Sequence, residues 1–412
     1  RSGSTSLVMS LRESRLYDID PQRLKESEMM LQNLNKNTGG YGKVIAYDDR
    51  RAALKGADYV VNAIQVGGYK PATVIDFEIP KRYGLRQTIA DTLGIGGIFR
   101  ALRTFPVLEE FARDMEELCP DAWFLNYTNP MAMLTGYMLR YTGVKTVGLC
   151  HSVQTCASEL LSGLGISLDG VAYHIAGINH MAWLLEITKD GEDLYPLVKE
   201  LAAKREPHHH DLVRYEIMKQ FGYYVTESSE HNAEYLPYFI KSRNPELIDR
   251  FKIPLDEYPR RCERQIAGWE QMRDDLVNNA QIGHELSHEY GSRIMNAMET
   301  NTPYKIGGNV LNTGLITNLP TEAIVEVPCL VDSSGIQPCF VGDLPPQLAA
   351  LNMTNVNVHL LTIEAFVTKK KEHIYHAALL DPHTSSELTI DEIRSLCDDL
   401  IEAHGEWLPR FV

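Results

Sequence analysis

Five short apolar runs in the first 150 residues, set apart by stretches of helical periodicity, constrain this chain more than anything else in it. They are Arg15–Asp18, Val44–Tyr47, Tyr59–Ile64, Trp123–Leu125 and Val144–Leu149. Near-continuous apolar strands alternating with helices belong in a parallel sheet covered on both faces, because only there are both sides of a strand buried. Asp20-Pro21 opens the first helix, Asp as N-cap and Pro at the first helical position. Leu24, Met30, Leu31 and Leu34 give that helix one apolar face, and Ile98–Leu118 repeats the pattern at greater length.

From residue 151 the pattern changes. Val171–Ile178 and Trp183–Ile187 read as an antiparallel strand pair, with shorter strands near Ile324–Val327 and Gln337–Val341. Helical material dominates the rest: Asp211–Phe221, Asp256 to about Ala280, His284–Met298, Leu348–Lys371 and Ile390–His404. The expected fold is α/β, an N-terminal Rossmann-like parallel sheet with helices on both faces, followed by a closely packed α+β C-terminal half. The expected domains are 1–150 and 151–412. No linker separates them, so the halves are expected to share one interface. His208-His-His210 reads as a solvated loop.

At 412 residues with 44% hydrophobic content the chain has the size and composition of a soluble globular enzyme. A net charge of −15 argues against nucleic acid and anionic membrane surfaces, both of which need a basic face. No apolar stretch approaches the roughly 20 residues of a spanning helix, and Arg1-Ser-Gly-Ser-Thr5 is no signal peptide. The seven cysteines are odd in number, scattered, and without a CxxC pair, the pattern of reduced thiols in a cytoplasmic protein.

Chemistry gathers at the ends of three runs. Cys150-His151 follows Val144–Leu149, His180 closes Ile175–Asn179, and Asn126-Tyr-Thr-Asn129-Pro130 follows Trp123–Leu125. A thiol, two imidazoles and an amide on converging strand ends fit a divalent metal with open coordination positions. In the first half, Ser2-Gly3-Ser4-Thr5 is a glycine turn where a dinucleotide fold places its pyrophosphate loop, so Gly3 and Ser4 are candidate cofactor contacts. The usual preceding strand is absent, and about 15 residues separate Gly3 from Asp18 where the fingerprint expects roughly 20, which points to residues missing near the start. Asp18 is the expected partner of the ribose hydroxyls of NAD, its charge disfavouring the extra phosphate of NADP. Gln65-Val-Gly67-Gly68 ends the third run, where the glycines let a flat ring or a diphosphate approach the backbone, so Gln65 and Gly67 are candidate cofactor contacts.

Several longer motifs carry a resemblance. They are Thr88-Ile-Ala-Asp91-Thr-Leu-Gly-Ile-Gly-Gly97, Asn126-Tyr-Thr-Asn129-Pro-Met131, Gly148-Leu-Cys150-His151-Ser and Gly177-Ile-Asn-His180. With them the chain resembles the NAD-dependent glycosidases of glycoside hydrolase family 4 along nearly its whole length. Thr226-Glu-Ser-Ser-Glu-His231 and Asp381-Pro-His-Thr384 look like the melibiase branch, which hydrolyses α-galactosides. The resemblance implies a route outside the usual two-carboxylate scheme. NAD takes hydride from C3 of the sugar, a base removes the acidified C2 proton, and a divalent metal such as Mn²⁺ steadies the enolate. The aglycone then leaves C1, water adds, and the hydride returns.

By the same resemblance Cys150 and His180 are metal ligands, Asn129 binds substrate hydroxyls, and His151 donates a proton to the leaving group. The phospho-sugar branch carries Asn after the Cys, so His151 points to an unphosphorylated sugar. That branch uses a tyrosine base which has no evident counterpart here, and the stretch Glu227–Tyr235 is the place to look. Asp91 lies near substrate or serves the structure of its glycine-rich loop. Resemblance also implies a homodimer or homotetramer. An α-glucosidase or α-galacturonidase of the same family remains open, as do a lactate/malate-type dehydrogenase and an NAD-binding protein without turnover.

Overall fold

The computed structural model describes residues 12–40, 42–204, 211–283 and 289–412. Gly3, Ser4 and His208–His210 lie outside them, as does the expected start of the helix at His284. The strands are β1 (Glu13–Tyr17), β2 (Lys43–Tyr47), β3 (Tyr59–Asn62), β4 (Trp123–Asn126), β5 (Lys145–Leu149), β6 (Val171–Ile178) and β7 (Met181–Lys189). They continue as β8 (Glu192–Asp193), β9 (Tyr224–Val225), β10 (Tyr304–Leu311), β11 (Ile324–Asp332) and β12 (Gly335–Pro338). Between β1 and β2 the Pro21–Asn37 helix starts as its sequence requires: the Asp20 carboxylate accepts from the N–H of Gln22 at 2.9 Å and of Arg23 at 3.1 Å. The helix expected from His284 is described from Tyr290 to Thr300.

Among the described residues β1 and β2 pair in parallel as a sheet of their own, while the other strands form one ten-stranded sheet. Its first three members, β3, β4 and β5, run parallel. From β5 the order continues β10, β11, β6, β7, β8, each antiparallel to its neighbour. The two halves therefore share a sheet as well as an interface. Helices join them too: Pro346–Thr368 lies against Gly94–Leu118 and Met131–Tyr141, with Phe366 stacked on Phe105 at 5.0 Å and edge-on to Tyr137 at 5.2 Å.

One row of the sheet decides where the site falls. Gly148 of β5 pairs with Asn309, Asn309 with Glu326, and Glu326 with Gly177 of β6. Gly148 must be glycine there, since a Cβ would stand 2.6 Å from Met131 Sδ, 2.7 Å from Thr135 Oγ1 and 2.8 Å from Asn309 Cβ. Just past this row the chain leaves β5 at Cys150, and it leaves β6 into a two-residue turn, Asn179-His180, that returns as β7.

Candidate active site

Cys150 and His180 do converge on one place, although not from parallel strand ends, while His151 is not brought into the same cluster. Cys150 follows the last residue of β5, whereas His180 occupies the hairpin turn with a left-handed backbone, φ 64°. Strands running in opposite directions deliver the two side chains, and a third donor arrives from elsewhere. The Cys150 Sγ, a His180 ring nitrogen and a Glu227 carboxylate oxygen lie within 4.8 Å of one another. Glu227 is itself in the left-handed region at φ 66°, immediately before the Ser229–Tyr235 helix that Ser228 caps.

Each donor is held in place. Tyr235 Oη sits 3.0 Å from His180 Nδ1, which leaves Nε2 facing Glu227 Oε2 at 3.5 Å. A metal-binding imidazole needs this kind of orienting hydrogen bond on its other nitrogen. Ser152 Oγ lies 3.3 Å from Cys150 Sγ, and the Ser152 N–H points at the same sulfur. Burial alone lowers the His180 pKa, but the charge of Glu227 and the neighbouring Cys150 hold it up at about 10. Burial alone raises Glu227, but His180, His231 and Arg214 bring it down to about 2. The pocket favours positive charge, and a cysteine sulfur, an imidazole and a carboxylate are a donor set that suits a divalent transition metal.

A polar chain leads away from these donors. His231 Nδ1 stands 3.3 Å from Glu227 Oε1 and 2.6 Å from Ser228 Oγ, and its Nε2 faces Asp91 Oδ1 at 4.0 Å. Its ring meets that of His180 edge-on at 5.2 Å, and burial lowers its pKa. Asp91 accepts from Thr92 Oγ1 at 2.9 Å and from Asn129 Nδ2 at 3.4 Å. The cation donors and Asn129 are thus linked through His231 and Asp91, an arrangement that can grip adjacent hydroxyls of one small polar ligand.

The remaining candidates stand further out. His151 heads the Ser152–Leu164 helix with its side chain 61% exposed, its Nε2 hydrogen-bonded to the Glu289 carboxylate. Asp18 follows β1 and accepts from the N–H of Asp20 at 2.8 Å, with Arg23 at 3.5 Å from its other oxygen. Gln65 and Gly67 follow β3. Gly67 has φ 88°, and a Cβ there would come within 2.4 Å of Ala72 Cβ, so the turn takes glycine alone. Sequence reasoning passed over Glu227 as a ligand, although it sits in the Thr226–His231 motif. Only its left-handed backbone aims it at His180.

Fold and site together define a class: a Rossmann-type α/β chain with a thiol–imidazole–carboxylate set at one end of its sheet. The chain belongs to the family 4 glycosyl hydrolases. The model of that family matches residues 5–166, and the model of the family 4 glycosyl hydrolase C-terminal domain matches residues 175–384. An alpha-galactosidase of Bacillus subtilis is 67% identical over 400 residues, covering 97% of this chain and 93% of the relative. An alpha-galactosidase of Rhizobium meliloti is 34% identical, covering 97% of this chain and 84% of the relative. Among solved structures, a 6-phospho-alpha-glucosidase from gut microorganisms in complex with NAD and Mn²⁺ superposes with a TM-score of 0.81 at 20% identity, covering 97% of this chain and 93% of that one. Family membership sets aside the lactate/malate-type dehydrogenase reading.

Proposed function

We propose that this chain is an α-galactosidase that hydrolyses small unphosphorylated α-galactosides such as melibiose, using NAD and a divalent metal, Mn²⁺ above others. The observation that carries the reading is the Cys150–His180–Glu227 set, linked through His231 and Asp91 to Asn129. The 67% identical alpha-galactosidase supports the choice of sugar. When bound, NAD supplies reversible hydride transfer at the sugar's C3 and the metal supplies stabilisation of negative charge on O2 and O3.

The chain's own residues do the rest. Cys150, His180 and Glu227 would hold the cation, and Tyr235 fixes the His180 ring through Nδ1, leaving Nε2 toward Glu227. Asn129 and Asp91 bind sugar hydroxyls. His151, exposed at the head of its helix beside Glu289, donates the proton to the departing oxygen at C1. Asp18, Gln65 and Gly67 are the described residues for NAD, with Gly3 and Ser4 outside that set, and the cofactor-binding domain is 1–150 with 151–412 as the substrate half.

We read the enzyme as cytoplasmic and as a homodimer or homotetramer. All seven cysteines are unpaired, which suits a reducing compartment. None of the described residues forms a helix long and apolar enough to cross a membrane. The Glu257–Leu276 helix has no buried residue and turns Ile266, Trp269 and Met272 outward, which suits a subunit contact.

Melibiose hydrolysis should stop when NAD is exhaustively removed or a chelator is added, and resume when both NAD and Mn²⁺ return. In D₂O, removal of the C2 proton and its return from solvent should place deuterium at C2 of the released galactose. Only hydrogen at C2 by NMR, or full activity without NAD and metal, would sink the proposal.

A further inference from the structure

The Ser229–Tyr235 helix carries Tyr235 to His180 and His231 to Asp91, and a third side chain on it is buried against the turn that leads into Asp91. Glu234, 3% exposed, accepts from three successive backbone N–H groups: Thr88 at 2.8 Å, Ile89 at 3.3 Å and Ala90 at 2.8 Å. We propose that Glu234 is a positioning residue, its carboxylate fixing the Thr88–Ala90 turn and thereby placing Asp91 against Asn129 and His231. The inference rests on the reading of the site given above.

The turn needs such an anchor. Ala90 sits at φ 51°, a left-handed conformation that costs a non-glycine residue and persists only where its surroundings impose it. Three consecutive N–H groups aimed at one carboxylate form an anion-holding nest, so the charge and the curl of the backbone stabilise each other. Two more contacts knit the turn to the same region: Thr88 Oγ1 donates to the Glu230 carbonyl at 2.7 Å, and the Tyr258 N–H donates to the Thr88 carbonyl at 3.0 Å. From the other side the Gly94–Leu118 helix presses on Ala90, since a Cβ on Gly96 would stand 2.5 Å from the Ala90 carbonyl oxygen. Asp91 is the next residue along, and its oxygens face Thr92, Asn129 and His231. A glutamine at 234 would turn an N–H₂ toward backbone N–H groups whose described acceptor is this one carboxylate, and the turn would open. Placement errors near 1 Å cost on the order of 100-fold in rate.

The test is a double-mutant cycle of Glu234→Gln and Asp91→Asn on the full chain with NAD and Mn²⁺. It is run at pH 8, above the Glu234 carboxyl that burial pushes up to about 7. Glu234→Gln is expected to lower kcat/KM for melibiose on the order of 100-fold while Mn²⁺ and NAD affinities stay within about twofold. In the Asp91→Asn background it should cost little more, because both changes disable the same carboxylate. Additive losses, or a fully active Glu234→Gln, would overturn the proposal. Glu234→Asp keeps the charge on a shorter arm, and the same cycle decides if the glutamine variant does not fold. Amide exchange at residues 88–90 reads the clamp without turnover: it should accelerate at least about tenfold in either variant, and unchanged protection would refute it. A wild type that turns over no α-galactoside indicts the functional reading, and the exchange measurement still judges the clamp.

Discussion

Glu326 is a charge the fold would be better off without, which gives a quantitative test. It lies in the sheet row between Asn309 and Gly177, fully buried, with Oε1 accepting from Asn309 Nδ2 at 3.1 Å and Oε2 without a hydrogen-bond partner among the described residues. Burial pushes its carboxyl up to about 7, although His180, Asn309 and Asn179 pull it down. The folded chain thus holds a proton that the unfolded chain, with an ordinary glutamate, gives up near pH 4.5. Between those two values the folded state binds more protons, so this group's contribution to stability falls as pH rises, and the loss is complete above pH 7. The shift corresponds to about 3 kcal/mol at pH 8, at roughly 1.4 kcal/mol per pKa unit.

Glu326→Gln keeps the acceptor for Asn309 and removes the charge. In metal-free protein it should raise stability by up to about 3 kcal/mol at pH 8, a rise in Tm of about 3 °C for a chain of this length, and by about 1 kcal/mol at pH 5. Thermal unfolding of both proteins at the two pH values measures this. A variant whose advantage is the same at pH 5 and pH 8, or which is less stable at pH 8, would show that the carboxyl is not the buried cost described here.

Three further outcomes follow from the site and its scaffold. Cys150→Ser should weaken Mn²⁺ binding by at least about 100-fold, since loss of an outer partner of a ligand alone costs 10–100-fold, while calorimetry shows NAD binding unchanged. An unaltered Mn²⁺ affinity would return Cys150 to an ordinary half-buried thiol. Peroxide should mimic the serine variant and reducing agent reverse it, because an oxidised thiol is a poor ligand, and a peroxide-resistant Mn²⁺ affinity would count against the thiolate. Gly148→Ala should destabilise the chain by about 1–3 kcal/mol, because its methyl would meet Met131, Thr135 and Asn309 at once, and an unchanged Tm would refute the packing described for that row.

Much of this protein is written locally, and that part was legible. The apolar runs became β1–β7 because a strand's burial shows in its own composition, and Asp20-Pro21 started its helix because a cap acts within three residues. Cys150 and His180 could be picked out because each follows directly on a strand-like run. What the sequence could not convey is distance between segments remote along the chain. β10 was missed because Gly307 and Gly308 dilute its strand signal. They are glycines for tertiary reasons, as a Cβ would stand 2.9 Å from Val153 at one and 2.8 Å from Cys329 Sγ at the other. The insertion of β10 and β11 between β5 and β6 brings His180 to Cys150 from the opposite strand direction. Glu227, one of 55 acidic residues, becomes a candidate ligand only through a left-handed backbone at φ 66° and the helix that follows it. Periodicity and caps are short-range consequences of the residues that show them, whereas a three-donor pocket is set by how whole elements pack, and only the tertiary structure decided that.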